Sequence, residues 1–318
     1  MLEVHHLHKK YPGEHYGAVV DVSFELSKGE ILAVVGRSGS GKSSLLRMLA
    51  GLMKPDSGEI LFNNEPLKNP EEQLVAGHDQ IKMVFQDFQV KANMTVVENI
   101  RYKLLHFNKE YQKERCEELL ELCGLVSLAD KKPHELSGGQ QQRLSLARAL
   151  ADDPELLLMD EPFSNLDPLI KEDLMLELVQ IVKSENLSLI LVSHDVRDAM
   201  LIADQIAFIE QGTILQLDTP TEIYNRPKTL EVAQFFGRVN ELKFKQKQIF
   251  IRAEHLKEGL LENSFNLKVI QSIFMGAYHL NYGISDENER VVFHSQEGIP
   301  IDSSVKLGFK SSDQLQFS

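Results

Sequence analysis

Short, continuous apolar runs recur along the first part of the chain. They are Ile31–Val35 (ILAVV), Ile81–Phe85, Leu156–Met159 (LLLM) and Leu187–Val192 (LSLILV). Runs of this length without alternation are typical of parallel strands that are buried on both faces. Stretches with helical spacing lie between them, so the pattern predicts an α/β fold around a sheet of buried strands.

Two other regions of this part show different patterns. Residues from Met1 to about Gly29 are predicted to form an antiparallel strand pair. The region at about 87–136 is predicted to be mainly helical, with helices at Asn93–Leu105 and Glu110–Cys123. In the second helix the apolar positions recur at the spacing of one packed face. We therefore expect a helical subdomain, inserted into the α/β unit.

The pattern changes after a helix that is predicted to end near Phe236. Beyond it, short apolar segments alternate with turn residues, and the predicted strands are Leu242–Ala253, Phe265–Phe274, Tyr278–Ser285, Arg290–His294 and Val305–Phe309. Several short strands separated by turns favour a small all-β barrel. The predicted domains are thus an α/β unit over 1–238 and a β-rich domain over 239–318.

The candidate chemistry begins directly after the first buried run, where Gly36–Ser43 reads GRSGSGKS. Glycines let the backbone turn its N–H groups towards an anion, and a helix predicted to begin near Lys42 points its dipole at the same place. Lys42 can reach the β- and γ-phosphates of a nucleotide, and the Ser43 hydroxyl can ligate Mg²⁺. The alternative is a glycine-rich loop that only turns the chain. The candidate nucleotide-binding residues here are Gly36, Arg37, Ser38, Gly39, Ser40, Gly41, Lys42, Ser43 and Ser44.

Two adjacent carboxylates, Asp160 and Glu161, follow the third apolar run. Ligands of open α/β sheets bind at the carboxyl ends of the strands, and this pair would repel a triphosphate unless a cation lay between them. We assign Asp160 to Mg²⁺, mostly through water, and Glu161 to the attacking water as general base. A helix cap or a solvated turn is the alternative.

His194 follows the fourth apolar run, in the sequence Ser-His-Asp. A lone histidine at a strand end is more often packed or solvated than catalytic. Here it follows the acidic pair at the distance of one helix plus one strand, which should bring it beside the γ-phosphate.

A second predicted helix N-terminus lies at LSGGQ, residues 136–140. Ser137, Gly138 and Gly139 precede a strongly helical stretch that is predicted over Gln140–Ala151, and such a terminus can bind an anion. The chain already has one phosphate loop, so a second anion site suggests the nucleotide of a second subunit.

The order of these motifs resembles that of the ATP-binding cassette ATPases, which drive membrane transporters. LSGGQ lies between the phosphate loop and LLLMDEP at Leu156–Pro162. The resemblance implies a P-loop NTPase cassette with a mixed sheet and a helical subdomain. It also implies that two copies sandwich two ATP molecules head to tail, each γ-phosphate being touched by the partner subunit's Ser137 and the partner subunit's Gly139.

The same resemblance assigns roles to single residues. Gln86, in VFQDF, is similar to the family's Q-loop residue, which senses Mg²⁺ or the attacking water, and His194 is similar to the residue that contacts the γ-phosphate. Tyr11 resembles the aromatic residue that stacks on adenine, an interaction of about 1–3 kcal/mol per base. Tyr16 is close in sequence, and the alternative is that either tyrosine only caps the sheet. Ser164–Asp167 matches the D-loop, which crosses the dimer seam.

The C-terminal segment resembles the OB-like domain of importer ATPases. The matching features are IRAEHL at Ile251–Leu256, a hairpin at Gly276 and Val305–Phe317, with Ala253 where the family usually has Pro. An OB-like fold can also bind nucleic acid, but acidic and basic residues are nearly balanced here and no basic–aromatic stripe appears. The resemblance predicts the energy-coupling ATPase of a prokaryotic importer, for an inorganic ion such as ferric iron or for a polyamine.

The predicted partners are a second copy, the transmembrane permease subunits and, indirectly, a solute-binding protein. In the family the helical insert accepts a coupling helix of the permease. The segment after Gln86 (DFQVKANMTVVENI) lacks the aromatic-Ala-Leu-Phe-Pro run of many importers, which leaves the identity of the permease open. Two other functions remain: a soluble cassette ATPase, which usually has tandem cassettes or a long coiled coil, and an exporter subunit, which normally lacks a β-rich tail.

Composition bears on the location of the protein. The formal net charge of −13 over 318 residues argues against general binding to nucleic acid or anionic lipid. No apolar stretch approaches the roughly 18 residues of a membrane span, and Met1 begins no signal-peptide pattern. We therefore expect a peripheral protein on the cytoplasmic face of the inner membrane. Cys116 and Cys123 are expected to pack in a core rather than form a disulfide or a metal site.

Overall fold

The structure is a computed structural model that describes residues 1–13, 16–85, 87–164, 166–259 and 261–317. Its contacts divide the chain into two compact units, Met1–Pro220 and Thr221–Ser318. The domain limit at 238–239 stays a prediction from the sequence.

The first unit combines strands and helices in alternation. Its strands are β1 (Leu2–Lys9), β2 (Val19–Leu26), β3 (Ile31–Val35), β4 (Ser57–Phe62), β5 (Glu65–Pro66), β6 (Ile81–Val84), β7 (Leu156–Asp160), β8 (Ser188–Ser193), β9 (Gln205–Glu210) and β10 (Thr213–Asp218). Its helices are α1 (Lys42–Leu49), α2 (Val96–Arg101), α3 (Lys109–Leu122), α4 (Gly138–Leu150), α5 (Pro168–Ser184) and α6 (Val196–Ile202).

The central sheet of this unit is mixed, as predicted. Its strand order is β10-β9-β3-β8-β7-β6; β10 runs antiparallel to β9, and the other neighbours are parallel. A smaller antiparallel sheet has the order β2-β1-β4-β5, which confirms the N-terminal strand pair and adds β4 and β5 to it. The parallel arrangement places the carboxyl ends of β3, β8, β7 and β6 at one edge.

The central strands are buried on both faces, which explains why their sequences are continuously apolar. Leu157 and Leu189 belong to the apolar cluster that contains the helical insert, whereas Leu156 and Leu158 belong to the cluster that contains β1 and α1. Successive side chains of a strand point to opposite faces, so one run of leucines contributes to two cores. Each fully buried side chain of this kind contributes about 1.5–3 kcal/mol.

The helical insert is present, but its first helix is shorter than predicted. α2 begins at Val96 rather than Asn93 because Thr95 caps it: the Thr95 hydroxyl accepts a hydrogen bond from the Glu98 amide, and the Glu98 carboxylate accepts one from the Thr95 amide. Cys116 and Cys123 are buried and not joined in a disulfide, as expected. Burial raises the pKa of the Cys123 thiol to about 12. No helix among the described residues has the length and apolar character that crossing a membrane requires.

The second unit is dominated by antiparallel strands. Its elements are α7 (Pro220–Asn225, which begins at the unit boundary), α8 (Leu230–Phe236), β11 (Val239–Phe244), β12 (Lys247–Arg252), β13 (Lys257–Glu258), β14 (Asn263–Phe274), β15 (His279–Ser285), β16 (Arg290–Ser295) and β17 (Ser304–Phe309). β11 and β12 form a hairpin, and the remaining strands form a sheet of order β13-β17-β14-β15-β16. The Asn240 side chain links the two, since it both donates to and accepts from the Val292 backbone.

The predicted single strand at Leu242–Ala253 is wrong. The chain turns at Lys245 and Gln246, which adopt φ values of 51° and 66°, and so splits this stretch into β11 and β12. The predicted turn at Gly276 is confirmed, with a φ of 91° between β14 and β15. α8 ends at Phe236, as predicted.

Candidate active site

The candidate site lies at the edge of the sheet where β3, β8 and β7 end. β3 leads into the phosphate loop, β7 ends at Asp160, and β8 ends one residue before His194. Because these strands are parallel neighbours, the segments that follow them meet at one edge, as the apolar runs predicted.

The phosphate loop is held by close backbone contacts. Gly41 has a φ of 100°, and a Cβ atom there would lie 1.8 Å from the Ala18 carbonyl oxygen, so only glycine fits. Lys42 is buried, and its Nζ atom donates to the carbonyl oxygens of Gly36 and Arg37 at 2.9 Å each. Burial lowers the pKa of the Lys42 ammonium, although the charges of Glu161, Asp160 and Glu210 oppose this. The ammonium group therefore lies inside the loop, next to the N-terminus of α1.

The remaining loop residues are arranged around this lysine. Ser40 is buried, whereas Arg37, Ser38 and Gly39 form an exposed tip. The Ser40 amide donates to the Arg37 carbonyl at 3.2 Å and closes the turn. The loop thus presents exposed backbone beside a buried cation, an arrangement suited to a phosphate chain.

Ser43 and Asp160 are brought together at the start of α1. The Ser43 hydroxyl donates to Oδ1 of Asp160 at 3.1 Å. Burial raises the pKa of the Asp160 carboxyl and the neighbouring Glu161 adds to this, while the hydrogen bond from Ser43 opposes it. A hydroxyl and a carboxylate are oxygen ligands of the kind that Mg²⁺ prefers. Gln86, the third expected ligand, lies outside the described residues.

The acidic residue assigned as general base is fixed in an uncommon conformation. Glu161 has a φ of 47°; its amide donates to the Val192 carbonyl at 3.0 Å, and its carbonyl accepts from the Ser164 hydroxyl at 3.0 Å. Its Oε2 atom lies 2.8 Å from Nδ1 of His194. An ionised Glu161 requires the proton on Nδ1 for this hydrogen bond. β7, β8 and the Ser164 turn thus orient one carboxylate at the edge of the sheet.

The two tyrosines near the N-terminus differ in position. The Tyr11 hydroxyl lies 3.0 Å from the Ser44 hydroxyl and 3.4 Å from the Met53 sulfur, so its ring lies against α1 beside the phosphate loop. Tyr16 is 80% exposed. Adenine stacking by Tyr11 stays a prediction.

The LSGGQ segment forms the N-terminus of α4, which begins at Gly138 rather than Gln140. The Ser137 hydroxyl accepts from the Gln140 amide at 3.3 Å, and the Gln140 side chain accepts from the Ser137 amide at 3.0 Å. Gly139 is buried, and a Cβ atom there would lie 3.1 Å from Leu174. Ser137 and Gly138 are exposed at this helix end.

Sequence reasoning missed a charged network next to His194. Oδ2 of Asp198 accepts from the Ser193 hydroxyl at 2.6 Å, and Oδ1 lies 2.5 Å from Nζ of Lys171. The available signal was the position of Lys171 in the first turn of α5, where the helix dipole disfavours a cation unless acidic partners lie close.

Comparison with known sequences places these features in a family. Residues 19–164 match the family described as ABC transporter. The chain is 36% identical over 317 residues to the spermidine/putrescine import ATP-binding protein PotA of Bacillus cereus, covering 95% of this chain and 96% of that protein.

Two other relatives match over shorter stretches. The putrescine transport ATP-binding protein PotG of Escherichia coli is 41% identical over 76% of this chain, and the chain spans 63% of its length. The Fe(3+) ions import ATP-binding protein FbpC 2 of Haemophilus influenzae is 43% identical over 68% of this chain, and the chain spans 62% of its length.

Two solved structures of similar fold come from an ABC transporter complex and from an ATP-binding cassette. cbiO1 from Clostridium perfringens, part of the ABC transporter complex cbiONQ, has a TM-score of 0.66 and 29% identity, covering 70% of this chain and 89% of that one. An ATP-binding cassette solved as a dimer in a post-hydrolysis state with ADP and Pi has a TM-score of 0.61 and 28% identity, covering 69% and 99%. Because identity to a known member extends over nearly the whole length of both proteins, this chain belongs to the ABC transporter family, among its ATP-binding proteins.

Proposed function

We propose that this chain is the ATP-hydrolysing, energy-coupling subunit of a prokaryotic importer. The observation that carries the proposal is the match to an import ATP-binding protein over 95% of this chain, which includes the β-rich second unit. An exporter subunit normally lacks such a unit. The contact between Glu161 and His194 supports hydrolysis as the activity.

The favoured cargo is a polyamine. The relative that matches along both units is a spermidine/putrescine importer subunit, whereas the ferric-iron relative matches 68% of this chain. Ferric iron is the second candidate, because identity to that relative is higher within the matched part, at 43% against 36%. Selection of the cargo itself belongs to the permease and the solute-binding protein.

Binding of ATP rests on the phosphate loop. Backbone amides of Gly36–Ser43 and the N-terminus of α1 would surround the phosphates, and the Lys42 ammonium would neutralise part of their charge. Tyr11, beside the same helix, would stack on the adenine.

Mg²⁺ fits the donors Ser43 and Asp160. Among the described residues, no group of three or more His, Cys, Asp or Glu side chains could hold a metal ion by itself, so the nucleotide would have to supply further oxygen ligands. Gln86 is expected to join this set. When bound, the ion would supply charge neutralisation at the phosphates.

Hydrolysis follows from the position of Glu161. The carboxylate accepts a proton from water as the water oxygen attacks the γ-phosphorus, and the bond from that phosphorus to the bridging oxygen breaks, leaving ADP and inorganic phosphate. His194 keeps the carboxylate oriented through its hydrogen bond, and Lys42 stabilises charge on the phosphates.

Two copies are proposed to act together. The N-terminus of α4, with the exposed Ser137 and the backbone of Gly139, would meet the γ-phosphate bound by the other copy, so that ATP closes the dimer and hydrolysis opens it. The dimer would dock peripherally on permease subunits at the cytoplasmic face of the membrane and would drive their alternation between states.

The test is affinity purification of the full chain from native membranes, with mass spectrometry and ligand binding. Recovery of a permease and a solute-binding protein that binds spermidine or putrescine supports the proposal. A binding protein selective for Fe³⁺ would establish the second candidate. Recovery of ribosomes or DNA-repair factors without an integral protein would refute the transport role and leave a soluble ATPase.

A further inference from the structure

The residues on either side of His194 are hydrogen-bonded to each other, and one of them, Ser193, is also hydrogen-bonded to Asp198. The Ser193 hydroxyl donates to Oδ2 of Asp198 at 2.6 Å and accepts from the Asp195 amide at 3.0 Å. The backbone of the Ser193–Asp195 segment is therefore fixed relative to α6, which carries Asp198. His194 lies in the middle of this segment, so its ring position depends on it.

Lys171 joins the Ser193–Asp195 segment to α5 through an ion pair with Asp195. Its Nζ atom lies 2.5 Å from Oδ1 of Asp198 and 3.3 Å from Oδ2 of Asp195. The side chains of Lys171 and Asp198 are only 15% and 8% exposed, so solvent screens their attraction less than it would at the surface. Burial would raise the pKa of Asp195, but the hydrogen bond from the Arg197 amide and the charge of Lys171 bring it below its ordinary value.

Lys171 stands on the helix that follows the predicted dimer seam. α5 begins at Pro168, Asp167 caps it by accepting from the Leu169 amide at 3.0 Å, and the Lys171 amide donates to the Asp167 carbonyl at 2.9 Å. The helix turn whose Lys171 holds Asp195 and Asp198 is thus hydrogen-bonded to Asp167, the last residue of the segment that is predicted to cross the dimer seam.

We propose that Lys171 is a positioning residue for ATP hydrolysis, which holds the Ser193–Asp195 segment so that His194 keeps its contact with Glu161. The inference rests on the proposed function, because it assumes that Glu161 and His194 act in hydrolysis. Lys171 acts through these two residues and does not itself touch the nucleotide.

The test compares steady-state ATP hydrolysis by the full chain and its Lys171→Met variant. A displaced His194 should lower kcat by roughly 10- to 100-fold and leave KM for ATP within about twofold, because geometry changes while the phosphate loop does not. Lys171→Arg keeps the cation and should retain most of the activity. Lys183→Met, at the exposed last turn of the same helix, should match the unmodified protein.

A double variant shows whether Lys171 acts by positioning His194 or only by stabilising the protein. Lys171→Met should cause little further loss in a His194→Ala background, since the residue through which it acts is already gone. Full multiplicative loss in that background would overturn the proposal, as would normal kcat for Lys171→Met.

Two further variants keep the test decisive. If Lys171→Met does not fold, Asp195→Asn is used instead. This substitution removes one carboxylate partner of Lys171 but keeps an oxygen that accepts from the Arg197 amide, and it should lower kcat in the same way. Unchanged kcat in Asp195→Asn would overturn the proposal. The unmodified chain and Glu161→Gln are measured in parallel. Absence of ATP hydrolysis in the unmodified chain would refute the proposed function, and normal hydrolysis by Glu161→Gln would refute the role of Glu161 as general base. Loss of hydrolysis in Glu161→Gln beside an unaffected Lys171→Met would refute only the role of Lys171.

Discussion

Nδ1 of His194 lies 2.8 Å from Oε2 of Glu161, across two neighbouring parallel strands. The pair is partly exposed, with side-chain exposures of 55% and 26%, so water can reach the carboxylate. The left-handed conformation of Glu161 costs about 1–3 kcal/mol, and the Val192 and Ser164 hydrogen bonds offset this cost. The carboxylate is thus oriented by His194 and accessible to the water from which it would accept a proton.

Replacement of the histidine should impair chemistry rather than binding. His194→Ala removes the hydrogen bond that orients Glu161, and kcat for ATP should fall about 10²-fold, as expected for a misplaced catalytic group. The phosphate loop is unchanged, so a fluorescent ATP analogue should bind with its usual affinity. Equal losses of affinity and turnover would show that His194 serves mainly to bind the nucleotide.

Removal of the phosphate-loop lysine should weaken ATP binding, whereas removal of His194 should lower turnover. Lys42→Ala eliminates the buried ammonium and leaves the Gly36 and Arg37 carbonyls without their donor. We expect ATP affinity to fall by about 10- to 100-fold, the value of one or two charge-assisted hydrogen bonds, as measured by equilibrium binding. Lys54→Ala is the control, because this exposed lysine pairs with Glu71 instead. Unchanged affinity in Lys42→Ala would contradict the assignment.

Substitutions at two glycines of the phosphate loop measure the cost of backbone strain separately from the cost of a steric clash. Gly39 and Gly41 both have positive φ, at 80° and 100°, but a Cβ atom at Gly39 meets nothing within 4 Å, whereas one at Gly41 would lie 1.8 Å from the Ala18 carbonyl oxygen. Gly39→Ala should cost about 1 kcal/mol of stability, and Gly41→Ala clearly more, since backbone must move. Thermal unfolding of the two variants measures this, and equal melting temperatures would show that the loop relaxes freely.

Arg252 should be a main stabilising residue of the second unit. It is fully buried, its guanidinium donates to the Tyr224 and Ala233 carbonyls at 2.6 Å and 3.1 Å, and it stacks on the Tyr224 ring at 3.8 Å. Arg252→Met leaves two acceptors unpaired and should lower the free energy of unfolding by about 2–5 kcal/mol. Denaturant unfolding of the full chain checks this, with Lys257→Met as the exposed control. A loss below about 0.5 kcal/mol would mean that water satisfies both carbonyls.

Local patterns were sufficient to predict four buried strands of the central sheet and the glycine-rich loop that follows the first of them. The runs at Ile31–Val35 and Leu156–Met159 are buried on both faces, so their apolar character appears in every residue. Gly41 and Lys42 follow one such strand at short range, and their arrangement depends on the local chain.

Other features depend on contacts that a linear pattern does not contain. The turn between β11 and β12 uses Lys245 and Gln246, which have no turn signature, so two strands were predicted as one. The contact between Lys171 and Asp198 joins two helices, and it became visible only once the fold placed their first turns together.

Replacement of the proposed general base tests the account most directly. Glu161→Gln keeps the size and hydrogen-bonding capacity of the side chain but cannot accept a proton from water. Its kcat for ATP should fall by roughly 10²- to 10⁴-fold, the usual contribution of a general base. Glu172→Gln, an exposed glutamate on α5, is the matched control and should retain full turnover.

The decisive measurement is ATP hydrolysis by the full chain and by Glu161→Gln, together with ATP binding and the oligomeric state in ATP. The account predicts that Glu161→Gln binds ATP normally, accumulates as an ATP-bound dimer and scarcely turns over. Hydrolysis within a few-fold of the unmodified protein, with binding intact, would contradict it.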